Sequence, residues 1–506
     1  LEKIGVKKLL NGPESFTPDD NFLLGESPEL RGFYLGCGMC SVGIACGGGA
    51  GSALAEWVIE GEPSMDLWPV DIRRFAKVQN SIRTLRERSS ETLSLHYAVS
   101  FPGRQYKTAR NLRLSPLHSR LEKAGAVFSA QMGWERPLWF NPKGISTHPE
   151  LSFEKPGWFF LHAQEHVAAR KSVVLIDQST FGKLIVQGRD AEKFLQRLCA
   201  NDISSAHDRV VYSPMLNNHG GYESDLTIMC LDEDRFLLIT GTGQPVRDQN
   251  WITRNIKPEE FVSVTDITGE YAVISVAGPN SRKLLNLASP DDFSNEGFSY
   301  FTHRNVEIGP GIVRAARLSY TGELGWELYV PSELAIPVFD TLNEYGSDLG
   351  LKLAGVEALR SLRIEKGFRA WGHEIGPYDT PFEAGMGFSV KLNKKVSFLG
   401  KEALVKQKKK GIKRYLVMLT AKDSEAHAHG GEPIWLNDKL AGHTTSGTFG
   451  HSVGCTVMMG YINCLDTKLE KTLSNGNFEV EIACRRFAAQ ASLEAPYDPK
   501  GVVLEK

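Results

Sequence analysis

The stretch that most constrains this chain is Ser319-Tyr320-Thr321-Gly322-Glu323-Leu324-Gly325-Trp326-Glu327-Leu328-Tyr329-Val330. Apolar and polar side chains alternate from Trp326 to Val330, which is the period of a strand. Thr321-Gly322-Glu323 reads as the turn that feeds it. The two glycines let backbone come close to a neighbour, and the strand entry aims Glu323 and Glu327. Taken alone, the stretch also fits a hairpin with solvated carboxylates.

Two further stretches narrow the choice. Leu216-Asn217-Asn218-His219-Gly220-Gly221-Tyr222-Glu223-Ser224-Asp225-Leu226-Thr227-Ile228 is a glycine turn running into a β-favouring segment that delivers Asp225. Gly355-Val356-Glu357-Ala358-Leu359-Arg360-Ser361-Leu362-Arg363-Ile364-Glu365-Lys366-Gly367 has helical character and is followed by Trp371-Gly372-His373-Glu374. In this order and spacing the three stretches resemble the folate-binding aminomethyltransferase fold, the T-protein of the glycine cleavage system.

A chain of 506 residues exceeds one hydrophobic core and should hold about three domains. With 42% hydrophobic and 23% charged residues the composition is that of a soluble globular protein. A net charge of -2 gives no reason to expect a nucleic-acid partner. No run approaches the roughly 18 apolar residues of a membrane span. Leu1 opens the chain without Met and without a targeting pattern, which reads as a processed product or a fragment. Cys37-Gly38-Met39-Cys40 has the spacing of a zinc or redox pair, but no second pair or nearby histidine completes a metal site. The eight cysteines are therefore expected to be buried structural thiols in a reducing compartment, with no metal.

Near the N-terminus, Asn11 to Asp19 is turn-rich and Gly32 to Gly38 is strand-like. Gly47 to Gly51 reads as a glycine loop opening a helix from Ser52 to Gly61, with Leu54, Trp57 and Val58 on its apolar face. Gly12 to Asp19, this strand-loop-helix and Asp71 to Phe75 resemble the last part of the flavin domain in the sarcosine and dimethylglycine dehydrogenase family. The resemblance implies FAD as cofactor, touched by Ser41, Val42, Gly43 and Ile44 at the loop before the helix. A helix N-terminus there would favour an anionic reduced flavin. The dinucleotide fingerprint Gly-x-Gly-x-x-Gly is missing: Gly36-Cys37-Gly38 continues to Ser41, and Gly241-Thr242-Gly243 to Val246. The chain is thus expected to be the C-terminal part of a longer protein.

Residues 71–150 are arginine-rich, with helical and loop character; the arginines suit a solvated face or an ion-pair network. The resemblance casts the region as a connector. From about residue 160 the pattern is α+β. Val173 to Asp177 and Gly182 to Gly188 read as strands, and Asp190 as the cap of a helix burying Ala191, Phe194, Leu195 and Leu198. Val356, Leu359 and Leu362 mark the buried side of another helix, leaving Arg360 and Arg363 together beside it. After Lys408-Lys409-Lys410-Gly411, short strands between turns suggest a small β-barrel. The expected organisation is the end of an FAD-dependent oxidoreductase domain at 1–75 and a connector at 76–150. A folate-binding α+β domain follows at 151–395, and a C-terminal barrel at 396–506.

A reduced pterin offers ring N–H and amino donors in parallel, which one carboxylate can accept together. The resemblance gives that role to Glu327, with Tyr320 and Trp371 lining or stacking on the ring; plain core packing is the alternative for both aromatics. It places Arg363 at the folate site, steadying Glu327 or the ligand, and Asp225 beside the reacting nitrogens as the catalytic acid. The T-protein usually has two adjacent acids here, and Ser224 stands in the first position. The implied activity is oxidative N-demethylation of sarcosine, yielding glycine and 5,10-methylenetetrahydrofolate. FAD takes the hydride and tetrahydrofolate captures the carbon before water can. Implied with it are an electron-transfer flavoprotein as acceptor and a mitochondrial matrix location. Trp371-Gly372-His373-Glu374-Ile375 looks more like dimethylglycine dehydrogenases, so dimethylglycine stays open as substrate. The architecture also resembles the non-catalytic regulatory subunit of pyruvate dehydrogenase phosphatase; keeping both Asp225 and Glu327 favours catalysis.

Overall fold

The computed structural model describes residues 4–9, 11–204, 209–464 and 469–505; Leu1 lies outside them. The chain divides into two units, residues 1–99 with 106–110, and residues 100–105 with 111–506.

In the first unit the strands Leu23–Glu26 and Tyr34–Cys37 pair antiparallel beside the helix Gly43–Glu60. The glycine run is not a loop, as the sequence had suggested, but part of this helix. Ala50, Ala53 and Trp57 form its buried stripe, with Ala50 and Ala53 packed on Leu24, while Gly47, Gly48, Gly49 and Gly51 face open space. Burial of that stripe outweighs a propensity loss of about 1 kcal/mol per glycine. Gly61, at φ 82°, ends the helix as expected. Asp71 caps the short turn Ile72–Arg74 and pairs with Arg73, both buried.

The cysteines also depart from expectation. Cys40, Cys199 and Cys230 are buried, but Cys37 and Cys484 are exposed, and Cys40 turns inward against Thr17 rather than toward Cys37.

In the second unit a short helix, His118–Lys123, leads into an antiparallel hairpin, Ala126–Gln131 with Trp134–Phe140, in a region the sequence had read as helical and loop. Arg113 lies over the Trp134 ring at 4.0 Å, so this part-buried arginine is held by stacking on an aromatic ring. Two sheets follow. The first is antiparallel, in the order Ser263–Asp266, Gly182–Gln187, Arg235–Thr240, Tyr222–Asp232, Val211–Leu216. The second runs His303–Ile308, Gly311–Ala316, Gly325–Pro331, Tyr271–Ala277, Val173–Asp177, Leu351–Leu353, with only the last pairing parallel.

Strand alternation gives each sheet two different faces. On the five-stranded sheet Leu184, Val186, Leu226, Ile228 and Leu238 pack on the helices Ala191–Leu198 and Pro245–Arg254. The opposite face sends Ile185, Met229, Leu237 and Ile239 into a core shared with Val273, Ala316 and Tyr329 of the six-stranded sheet. The two sheets thus pack face to face through one inner layer. Beyond them, six strands from Arg414 to Ser492 close a barrel. The helix Val356–Glu365 contacts this barrel; of the apolar side read from sequence only Leu362 is fully buried, Val356 and Leu359 being part-exposed, while Ala358, Ser361, Arg363, Ile364 and Glu365 are buried. Asp190 sits at its helix start, yet its carboxylate accepts from Phe261 N–H instead of capping.

Candidate functional site

Register decides where the two acids point. Asp225 shares the face of Met229 on the strand Tyr222–Asp232, and Glu327 shares the face of Tyr329 on Gly325–Pro331. Both carboxylates therefore enter the layer between the sheets. Glu327 and Glu323 are 4% and 1% exposed, which rules out the solvated hairpin.

Across the strands Glu327 faces Ser275 on one side and Ala316 on the other, two small residues that leave room over its carboxylate. Tyr329 donates its phenol O–H to Glu327 Oε2 at 2.7 Å; no described residue bonds Oε1. Burial pushes the Glu327 carboxyl up to about 7, with the Tyr329 bond pulling the other way. A buried carboxylate with one oxygen bonded by protein and small neighbours fits a ligand presenting paired N–H donors.

Asp225 is half-buried, and Tyr212 donates to its Oδ2 at 3.2 Å from the neighbouring strand. Burial pushes this carboxyl up to about 6, while hydrogen bonds from Tyr212 and Gln244 hold it down. Tyr320 is within electrostatic reach of both Asp225 and Arg363. Its ring stacks on Phe368 at 5.8 Å, and its hydroxyl donates to the Arg369 carbonyl at 2.6 Å. Arg363 does not reach Glu327: it donates to Glu374 Oε2 at 2.7 Å, Ser446 Oγ at 2.8 Å and the Phe368 carbonyl. Trp371 packs against the core of Leu216, Tyr222 and Ile375, with the Arg247 guanidinium 5.0 Å from its ring centre. Tyr320 thus lies in the electrostatic neighbourhood of Asp225 and Arg363 without bonding either, whereas Glu327 is tied directly to Tyr329 alone.

Several contributors were missed in the sequence. Tyr329 was legible, since it lies two residues after Glu327 in the same alternation. Tyr212 was not, because only strand pairing brings it to Asp225. Lys183 faces the same inner layer, wholly buried, with Nζ donating to the Ser179 carbonyl; burial pushes its amine down to about 7. A cleft of about 590 Å³ lined by Arg170, Arg282, Lys283, Glu323 and Tyr497 includes none of the residues assigned to folate.

Ser41, Val42, Gly43 and Ile44 stand at the start of the helix Gly43–Glu60. The Ser41 hydroxyl donates to Glu14 at 2.5 Å and Ile44 is fully exposed, so they suit a flavin only through backbone N–H groups of the first turn.

Residues 117–394 match the family model for the GCVT N-terminal domain, more than half of the chain. The chain belongs to the glycine cleavage T-protein family. Residues 414–498 match the T-protein C-terminal barrel domain, and residues 60–115 the FAD dependent oxidoreductase central domain. The T-protein match implies folate and the oxidoreductase match FAD. A 4-methylaminobutanoate oxidase (formaldehyde-forming) of Paenarthrobacter nicotinovorans is 41% identical over 99% of this chain and 60% of its own length. The mitochondrial sarcosine dehydrogenase of Mus musculus is 38% identical over 99% of this chain and 59% of its own. Mitochondrial dimethylglycine dehydrogenase of Homo sapiens, and the mitochondrial pyruvate dehydrogenase phosphatase regulatory subunit of Mus musculus, are each 35% identical. They align over 91% and 97% of this chain, and over 53% and 58% of their own lengths. The chain spans about 60% of the length of the first relatives named. The T-protein fold is also that of the glycine cleavage aminomethyltransferase T of Bartonella henselae, with TM-score 0.64 and 25% identity. That likeness covers 76% of this chain and 97% of that one.

Proposed function

We propose that this chain carries the folate site of a flavoenzyme that oxidatively removes an N-methyl group from a small amino acid, with sarcosine as the substrate. The reading is carried by the convergence of Asp225 and Glu327 on one inner layer, from two different sheets. It is supported by three relatives named for 4-methylaminobutanoate, sarcosine and dimethylglycine, all N-methylated amines.

When bound, FAD supplies hydride abstraction and tetrahydrofolate supplies the nitrogens that take up the carbon. Glu327, as a carboxylate, accepts the paired pterin donors and sets the ring's orientation. Asp225 holds or accepts a proton beside the reacting nitrogens, and its carboxyl near 6 is suited to exchange one close to neutrality. Tyr320 lines the ring, and Trp371 closes one wall from the core it packs on. Arg363 acts indirectly, by holding Glu374 and the Phe368 carbonyl beneath the Tyr320 stack. Ser41, Val42, Gly43 and Ile44 give the flavin its helix N-terminus. By the same reading the acceptor is an electron-transfer flavoprotein and the compartment the mitochondrial matrix, after the mitochondrial names of mouse and human relatives. Dimethylglycine is the alternative substrate. A regulatory subunit like the mouse relative is the second reading, favoured by that protein's match over 97% of this chain.

Calorimetric titration with tetrahydrofolate decides between them. Binding by the parent, weakened by about 1.5 to 3 kcal/mol (roughly 10- to 150-fold) in Glu327→Ala, and weakened in Asp225→Asn, is the expected result. No binding by the folded parent overturns the enzyme reading in favour of the regulatory one.

A further inference from the structure

The cleft of about 590 Å³ beside Glu323 enters no step above, and its two sides differ in charge. On one side the helix Ser281–Ala288 presents Arg282, Lys283, Asn286 and Leu287, which recur at the three- and four-residue spacing of a single helical face. Lys283 and Asn286 are exposed and make no hydrogen bond or ion pair among the described residues. Arg282 Nε donates to the Phe293 carbonyl at 2.8 Å, and its guanidinium lies 5.8 Å from the centre of the Trp326 ring. Deeper against the same ring lies the guanidinium of Arg317, 5.5 Å from its centre. Arg317 is 1% exposed; Nη1 donates to the Phe298 carbonyl, but Nε and Nη2 have no partner among the described residues. A buried cation without a counter-ion is costly, so this side suits an anion that comes from outside the protein.

The other side is the reverse. Glu323 lines the cleft while only 1% exposed. Its Oε1 accepts from Arg170 Nη1 at 3.0 Å and from the Tyr497 hydroxyl at 2.5 Å, and no described residue bonds Oε2. Arg170 divides one charge between Glu323 and Glu365, and its five N–H groups are all taken by Ser452, Glu323, Glu365 and the carbonyls of Thr321 and Leu362. It therefore has no donor left for a ligand, and this side keeps a carboxylate oxygen open to a cation. Leu324 and Val503 add apolar wall to the same cleft.

We infer that this cleft binds a zwitterionic amino acid, its carboxylate held by Arg282 and Lys283 and its ammonium by Glu323 Oε2. A simple anion would leave Glu323 Oε2 facing like charge, and a simple cation would meet Arg282 and Lys283; only a ligand carrying both charges satisfies both sides. The volume is in the range of small-molecule sites and leaves room for a carbon chain between the two charges. None of these residues is assigned to folate or flavin, so the inference stands apart from the reading of Asp225 and Glu327.

The test uses the full chain without flavin or folate, so its outcome is independent of both. Saturation-transfer NMR is read from the carbon-bound protons of two zwitterions, free glycine and 4-aminobutanoate, with acetate and methylammonium as controls of a single charge. At least one zwitterion should bind, and more tightly than either control; which one binds reports the spacing of the two charges. Lys283→Glu, on an exposed helix face where folding is not at stake, should weaken it roughly 10-fold or more. Glu323→Gln, with folding checked by circular dichroism, should weaken the zwitterion likewise and leave acetate unchanged. Binding of neither zwitterion overturns the inference, and so does zwitterion binding that is indifferent to Lys283→Glu. Acetate binding as tightly as the zwitterions also overturns it, in favour of a plain anion site.

Discussion

Tyr329 and Glu327 lie on the same face of one strand, and the phenol donates to the carboxylate at 2.7 Å inside the layer between the sheets. The bond is the only direct support the protein gives that carboxylate among the described residues. Tyr329→Phe should therefore push the Glu327 titration further above 7 and cost about 1–3 kcal/mol of stability where the acid is ionised. Thermal unfolding at pH 5 and pH 8 checks this, since the loss should appear chiefly at the higher pH.

Folate binding should release a proton. The folded carboxyl of Glu327 near 7 lies above its unfolded value, so the folded chain holds more protons between about 4.5 and 7 and loses stability as pH rises through that window. Donors on a ligand favour the ionised form, so affinity should rise as pH passes through about 7. Calorimetry near pH 6.5 in two buffers of different ionisation enthalpy measures the proton count directly.

Arg170 should be among the costliest residues to remove. It donates to Glu323 and Glu365 at 3.0 Å each, and its guanidinium lies 3.7 Å from the centre of the Tyr497 ring. Burial alone would raise Glu365, but His166, Ser452 and Arg170 hold it down to about 2. Arg170→Met removes the cation shared by two buried carboxylates, leaving Glu365 to His166 and Ser452 and Glu323 to Tyr497, and should destabilise by about 3–5 kcal/mol. Denaturant unfolding in low and high salt should show nearly equal losses, because the pair is shielded from ions.

Acid should loosen the contact between the helix Phe159–Lys171 and the barrel. His162 Nε2 and His451 Nε2 are 2.9 Å apart. Burial, with the neighbouring histidines and, at His451, Lys155, pushes these imidazoles down to about 3 and about 4. Both folded values lie below the unfolded one near 6.5, so this stability is intact above about 6.5 and drains as pH falls toward 4. His451→Gln should flatten the fall in melting temperature between pH 7 and pH 5.

Gly221 should not tolerate a side chain, because a Cβ would lie 1.8 Å from the Pro377 carbonyl, which is backbone. Gly221→Ala should cost about 1–3 kcal/mol and weaken tetrahydrofolate binding although neither acid is altered. Melting and titration of the same variant check both effects.

What the sequence determined by itself was local. Alternation from Trp326 to Val330 announced a strand, the spacing of Ala191, Phe194, Leu195 and Leu198 an amphipathic helix, and the short strands after Gly411 a barrel, because periods of two and 3.6 are written in neighbouring residues. The three separated motifs sufficed to resemble the T-protein family. The glycine run at 47–51 misled, since whether a helix forms through it depends on the stripe of Ala50, Ala53 and Trp57 finding Leu24, a partner distant in sequence. Only the tertiary structure decided that Asp225 and Glu327 share one layer, that Arg363 serves Glu374, and that Tyr212 reaches Asp225. Those relations depend on which face of each strand is turned inward and which helix covers the other, and no stretch of neighbouring residues encodes a contact made across two sheets.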